Sequence, residues 1–437
     1  LYSLDIKRFQ KFHSSKKFIM NRVTETLGDL YGMHWPYKQH KTSRDQKLLP
    51  YHEDLKKNGA CFGQSGEYER PMWYALDDIK PEYDYSFNYQ NWYPSVKHEC
   101  KNTIENVGLF ELSPFSKYEI KGEGAYDELQ RLCTANIKDD IGKCTYTHML
   151  NEGGGIETDL TVVCINKNHF RIISSAAVRT HDKAHILKHL SKNVEFKDVT
   201  DDLICLGIFG PKSRELLSKI TNENLSNEKF KFGTSKNINI GSLKVWTQRL
   251  SYVGELGYEL YINKDNGKEI YDLIVETGKN FGLTHCGAHT MDTMRMESGF
   301  LHWGHDISPE ENQYEAGLNF TISYKKPFNF IGKEKLLALK NQKLNRRFVM
   351  LILKDSTPGQ PLLLHEEPIY LENEIIGKTT SGNYSFNYDK NLSFGYINSE
   401  LTNEELLNRD LYIEIEKKKY EAQILLKPLK QVSFKDI

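Results

Sequence analysis

The chain has 437 residues, with 58 Lys and Arg against 59 Asp and Glu and a formal net charge of -1. It carries no basic excess of the kind that binds nucleic acid or an anionic membrane surface, and no apolar run approaches the roughly 20 residues that span a bilayer. The length allows about two to four domains and a substantial core. The chain opens on Leu1-Tyr2-Ser3-Leu4, with neither an initiator Met nor a signal peptide, and is expected to be a fragment or a processed product. Seven cysteines, none spaced C-x-x-C and several inside apolar runs such as Val163-Cys164-Ile165, predict buried free thiols in a reducing compartment. The cytoplasm, or the mitochondrial matrix of a eukaryote, would serve. The fifteen histidines form no zinc pattern, so no metal site is expected.

In chain order, residues 1–92 are aromatic and charged with little helical or strand period, as in Glu69-Arg70-Pro71-Met72-Trp73-Tyr74. Such a segment rarely makes its own core, and its aromatics are expected to cover a neighbouring domain. Helices are predicted at 95–107, 124–134 and 178–191, the last with Ile186, Leu187 and Leu190 inward. Strands are predicted at 118–122, 145–150, 160–165 and 170–174. A comparable block follows, with strands at 203–209, 243–249 and 258–262 and helices after Gly210-Pro211, at 266–279 and at 287–299. From Arg346 the pattern turns to strand, punctuated by Pro358-Gly359 and Glu372-Asn373, and predicts a small antiparallel barrel or sandwich.

Two stretches carry chemistry. Asn151-Glu152-Gly153-Gly154-Gly155-Ile156-Glu157-Thr158-Asp159 reads as a glycine turn feeding a β-branched strand, with Asp159 where loop becomes strand. Asp159 either closes that turn on backbone amides or stands as a carboxylate beside an apolar site. In Ser251-Tyr252-Val253-Gly254-Glu255-Leu256-Gly257-Tyr258-Glu259-Leu260, Glu259 points away from Tyr258 and Leu260. It lies on a solvated face or accepts a forked hydrogen bond from an amidine-like ligand edge. No G-x-G-x-x-G and no P-loop is present, so this chain alone is not expected to hold a dinucleotide or a nucleoside triphosphate.

With Met294-Arg295-Met296-Glu297-Ser298-Gly299, Glu315-Ala316-Gly317-Leu318 and Phe330-Ile331-Gly332-Lys333, these stretches resemble the glycine-cleavage T-protein (aminomethyltransferase) family. Phe110-Glu111-Leu112-Ser113-Pro114-Phe115, Thr379-Thr380-Ser381-Gly382 and the aromatic first segment are similar to the C-terminal half of dimethylglycine and sarcosine dehydrogenases. The resemblance implies an α+β fold. Two related mixed α/β subdomains (93–200 and 201–343) would form a folate-binding domain over 93–343. An antiparallel β-barrel would follow at 344–437. Residues 1–92 would be an irregular interface to a flavin oxidoreductase domain.

It further implies tetrahydrofolate on this chain and FAD only on that upstream domain or subunit. The one-carbon unit of an oxidised N-methyl amine would be captured as 5,10-methylenetetrahydrofolate. Alternatives are a tetrahydrofolate-dependent methyltransferase acting on a sulfonium or ammonium compound, and a non-catalytic folate-binding subunit. By resemblance Asp159 is the catalytic acid near the folate amines, Glu259 holds the pterin edge, Tyr252 flanks the ring, and Tyr146 and Phe115 line the pocket. Glu111, where the wider family often carries aspartate, receives no role. Arg295 and Glu297 read as a structural ion pair or as helix-face charges. Met291 stands where the T-protein has an arginine for the folate's benzoate and glutamate tail, so no residue is named for the tail.

Overall fold

Three β layers carry the fold in this computed structural model, which describes residue 9, residues 11–65 and residues 68–432. The first is a six-stranded sheet in the spatial order Thr234–Ile240, Leu243–Arg249, Gly257–Asn263, Leu203–Phe209, Val107–Glu111 and Leu283–Cys286. Its central strands are apolar on both sides because both faces are buried. Ile204, Leu206, Ile208, Tyr258, Leu260 and Ile262 pack with Leu216, Leu217, Ile270 and Ile274 of helices Ser213–Ile220 and Gly267–Gly278. Phe110, Cys205, Phe209 and Tyr261 face the other way, into a second cluster with Trp73, Trp92, Met291 and Met294.

The second layer is a five-stranded sheet ordered Cys144–Leu150, Ile156–Asn166, His169–Ser174, Ser116–Lys121 and Glu195–Asp198. Met149, Leu160, Val162, Cys164 and Phe170 cover helix Ala125–Leu132, so the alternate residues Asp159 and Thr161 face away from that core. The two sheets meet at their edges, where the Ser235 amide donates to the Gly142 carbonyl, the Cys144 amide donates to the Gly233 carbonyl and Lys143 bridges Thr234.

The third layer is a closed antiparallel barrel in the order Arg346–Leu353, Lys390–Asn398, Glu374–Ser385, Pro368–Leu371, Leu411–Ile415 and Lys418–Leu425. Closure leaves it no free sheet edge. Helix Ala288–Glu297 is buried along most of its length and lies against the barrel strand Glu374–Ser385. Arg295 and Glu297 do not pair with each other. Arg295 Nη1 donates to Asp306 Oδ2 (2.5 Å), while Glu297 accepts from Ser385 Oγ (2.6 Å) and Asn387 Nδ2 (2.9 Å).

The segment before residue 92 has more regular structure than its sequence suggests. Helix Lys16–Asp29, helix His52–Lys57 and a hairpin of Ala60–Ser65 with Tyr68–Tyr74 lie within it. Nearly every residue of the second hairpin strand is buried, so its sequence shows no alternation. Its aromatics do cover neighbouring structure, as Tyr51, Trp73 and Tyr74 are buried in the two clusters. Helix Arg179–His189 buries Ile186, but Leu187 is turned outward, because one helix stripe suffices against the sheet. All seven cysteines are free and buried. Among the described residues no helix is long and apolar enough to cross a membrane.

Candidate functional site

The glycine turn is closed without Asp159. Asn151 Oδ1 accepts from the Gly155 amide (2.9 Å), and Asn151 N–H donates to the Gly155 carbonyl (3.0 Å). Gly154 has φ +87°, and a Cβ on Gly155 would lie 1.9 Å from the Pro309 carbonyl, so both glycines are required there. Asp159 lies four residues further, inside the strand Ile156–Asn166 and directly across from His148. It is not at the loop–strand junction, and its carboxylate is free for another task.

That carboxylate is largely buried, and its Oδ1 has no hydrogen-bond partner among the described residues. Burial raises its pKa to about 7, with Asp182 adding to the rise and Tyr146 opposing it. His148 Nε2 stands 3.6 Å from Asp159 Oδ1 and 3.3 Å from the Tyr146 hydroxyl. On the other side of the imidazole, Gln313 Nε2 lies 3.1 Å from Nδ1 and Thr321 Oγ1 also 3.1 Å. With Nδ1 engaged by Gln313 and Thr321, Nε2 is the ring nitrogen that faces Tyr146 and Asp159. Burial lowers the His148 pKa to about 3, so the ring stays neutral.

Glu259 is on the inward face of the six-stranded sheet, not the solvated one. It pairs across the strands with Gly207 and Gln248. Burial raises its pKa to about 6, while the Tyr261 hydroxyl donates to Oε2 at 2.8 Å and pulls the other way. Gln248 beside it is fully buried, and among the described residues neither its Nε2 nor its Oε1 has a partner, nor does Trp246 Nε1. Glu255, the other acid of the loop, is neutralised by Lys430.

The strand Cys144–Leu150 connects the two acids. The Cys144 amide bonds the Gly233 carbonyl at the sheet junction, Ser235 there pairs with Gln248 and Gln248 with Glu259, so Glu259 lies toward that end. His148, four residues on and on the same side, faces Asp159. At about 3.3 Å per residue the two ends are about 13 Å apart. Tyr146 lies between them, 40% exposed, its hydroxyl pKa raised by burial and by Asp159. Tyr252 donates its hydroxyl to the Leu301 carbonyl (2.8 Å) and stacks near Phe300; Asp159 and Arg295 are both in its electrostatic surroundings. Phe115 packs on the same apolar cluster as Tyr252 and Trp246. The structure thus draws Asp159, Tyr146 and Tyr252 together, sets Glu259 at the far end and puts Phe115 on the wall. Sequence reasoning missed His148 and Gln248, because neither has a local signal and each matters only through its cross-strand partner.

A mixed α/β core followed by a closed C-terminal β-barrel is the architecture of the aminomethyltransferase fold. Residues 51–326 match the family model described as GCVT N-terminal domain, and 346–430 match the glycine cleavage T-protein C-terminal barrel domain. The chain belongs to the glycine cleavage T-protein family. Residues 1–48 match the FAD dependent oxidoreductase central domain.

The chain is 35% identical over 428 residues to 4-methylaminobutanoate oxidase (formaldehyde-forming) of Paenarthrobacter nicotinovorans, covering 98% of this chain and 51% of that protein. It is 31% identical over 434 residues to mitochondrial dimethylglycine dehydrogenase of Rattus norvegicus, covering 98% and 50%. It therefore spans about half the length of these curated relatives. The solved aminomethyltransferase T of the glycine cleavage system from Bartonella henselae superposes with a TM-score of 0.75 at 20% identity, over 88% of this chain and 98% of that one, which shows the shared fold.

Proposed function

We propose that this chain binds tetrahydrofolate and transfers to it the one-carbon unit released when an N-methyl amine is oxidised, giving 5,10-methylenetetrahydrofolate. The observation that carries the reading is Asp159, a buried carboxylate with one oxygen unpartnered, its pKa raised to about 7, beside a neutral histidine and a tyrosine. The remaining polar groups fit a pterin. Glu259 offers acceptor oxygens for adjacent ring N–H groups, and the unpartnered Gln248 amide beside it offers both a donor and an acceptor. Tyr252 and Phe115 supply a flat apolar wall.

When bound, tetrahydrofolate supplies the amine that takes up the carbon. The chain's residues do the rest. Glu259 and Gln248 orient the ring, with Glu259 held by Tyr261. Tyr252 is fixed by its bond to Leu301 and confines the ring's face. Asp159, with a pKa near neutrality, moves a proton at the folate amine, and the neutral His148 ring packs its Nε2 edge beside that carboxylate.

In this reading residues 1–92 join a flavin domain, 93–343 form the folate-binding domain (93–200 and 201–343, with Val107–Glu111 crossing into the later sheet), and 344–437 form the barrel. The match of residues 1–48 to an oxidoreductase domain favours an amine-oxidising context over a stand-alone demethylase. FAD would reside on that other domain or subunit, and the buried free thiols suit the cytoplasm or mitochondrial matrix. Calorimetry of the purified chain with 5-formyltetrahydrofolate tests the reading: binding by a colourless protein is expected. No binding at millimolar ligand, or a stoichiometric bound flavin, would overturn it.

A further inference from the structure

Arg70 lies in the hairpin strand Tyr68–Tyr74, with its guanidinium in the wall of the same apolar cluster. It is 9% exposed. Its Cζ stands 5.8 Å over the Phe115 ring, Nη2 reaches only the Met291 thioether at 3.6 Å, and Nε has no partner. Among the described residues no carboxylate forms an ion pair with it. Its nearest acids are committed elsewhere. Glu111 accepts from the Tyr51 hydroxyl (2.5 Å) and the Ser113 amide (2.6 Å). Asp292 accepts from Arg295 Nε (2.9 Å) and Asn383 Nδ2 (3.1 Å).

A buried cation without a counterion is costly, more so than the neutral indole and amide groups left unpartnered nearby, and an anion brought to it would relieve that cost. Nε and Nη2 lie on one edge of the guanidinium, the edge that takes a carboxylate side-on through two parallel hydrogen bonds. Among the described residues, the hydrogen-bond partner on that edge is the Met291 thioether, a weak acceptor on a flexible side chain that can swing aside. Burial lowers the Arg70 pKa to about 10, which leaves it fully charged near neutral pH.

We propose that Arg70 is an anion-binding residue in the wall of this cluster and takes a carboxylate of the folate tail on its Nε–Nη2 edge, with Met291 displaced. This rests on the folate reading above. Arg70 is a binding residue here, with no part in proton transfer.

The test is calorimetry on the full 437-residue chain, wild type and R70Q, with three ligands. These are 5-formyltetrahydrofolate, its glutamyl dimethyl ester and the tail-less 6-methyltetrahydropterin. R70Q should bind 5-formyltetrahydrofolate about 10- to 100-fold more weakly, the range of a charge-assisted pair, and keep its affinity for the tail-less pterin. The ester should bind wild type as weakly as the acid binds R70Q. Equal binding of the acid by wild type and R70Q overturns the proposal, as does a uniform loss for acid and pterin alike. If R70Q does not fold, the wild-type pair decides, and equal affinity for acid and ester overturns it. Failure of the wild type to bind any of the three ligands sinks the folate reading itself, a result distinct from the others.

Discussion

Buried charges are treated in two opposite ways in this molecule. Where helix Ala288–Glu297 meets the barrel, every buried charge is answered within the chain. Asp306 accepts from Arg295 Nη1, the His302 amide, Thr380 Oγ1 and Ser381 Oγ, and Glu297 accepts from Ser385 and Asn387. Across the facing sheets, Asp159 Oδ1 and Arg70 Nε, and with them the neutral Gln248 amide, are buried and have no hydrogen-bond partner among the described residues. Satisfied groups lock an interface in place, whereas unsatisfied ones retain binding capacity and, for Asp159, a pKa near neutrality. Loss of the first kind should therefore be read in stability, and loss of the second in binding and turnover.

The largest effect is expected at Asp159. D159N keeps size and polarity but cannot take up a proton, so methylenetetrahydrofolate formation should fall about 10²–10⁴-fold with folate affinity changed far less. The assay uses added formaldehyde corrected for uncatalysed condensation, or an intact flavin half. Normal turnover would return Asp159 to a structural role.

At the other pole, R295M removes one partner of a fully buried pair. Denaturant unfolding should show a loss of about 3–5 kcal/mol. A variant as stable as wild type would break the comparison on its satisfied side.

Stability against pH sharpens the unsatisfied side. The Asp159 pKa rises from 3.8 unfolded to about 7 folded. Its contribution is fully present below pH 4 and is lost as pH rises through 7. D159N should therefore be more stable than wild type at pH 8, by up to about 4 kcal/mol, with the gap closing near pH 4. Buried neutral His148 pulls the other way, losing stability as pH falls from 6.5 towards 3, but it cancels in the difference between the two proteins. A pH-independent gap would mean that Asp159 is not held in its raised state.

The smallest effect is at Glu259. E259Q replaces one acceptor by a donor and should cost about 2 kcal/mol of folate binding, while E255Q, whose acid is paired with Lys430, should leave binding intact. The reverse ranking would show that the wrong acid had been identified.

Much of the architecture was legible in local pattern. Helix Tyr93–Glu105, strand Leu203–Phe209 and the barrel strands Arg346–Leu353 and Leu411–Ile415 sit where apolar period places them. Short or polar strands such as Thr234–Ile240 and Pro368–Leu371 escaped, because their pairing comes from distant partners and not from composition. The motifs around Asp159 and Glu259 were readable as candidate acids, but the alternatives attached to them were not resolvable there. Asp159 could have closed the glycine turn until Asn151 was found closing it, and Glu259 could have faced solvent until its sheet was found covered on both sides.

By itself, then, the sequence determined many of the element types, the strand-rich character of the C-terminal unit and the two candidate acids, since turn chemistry and periodicity are properties of neighbouring residues. Only the tertiary structure decided that His148 stands across from Asp159, that Gln248 is a buried amide beside Glu259, and that Arg70 is a buried cation without a counterion among the described residues. Each of these depends on burial and on a partner far away in the chain. Register, desolvation and the absence of a counterion are quantities that arise when the sheets come together.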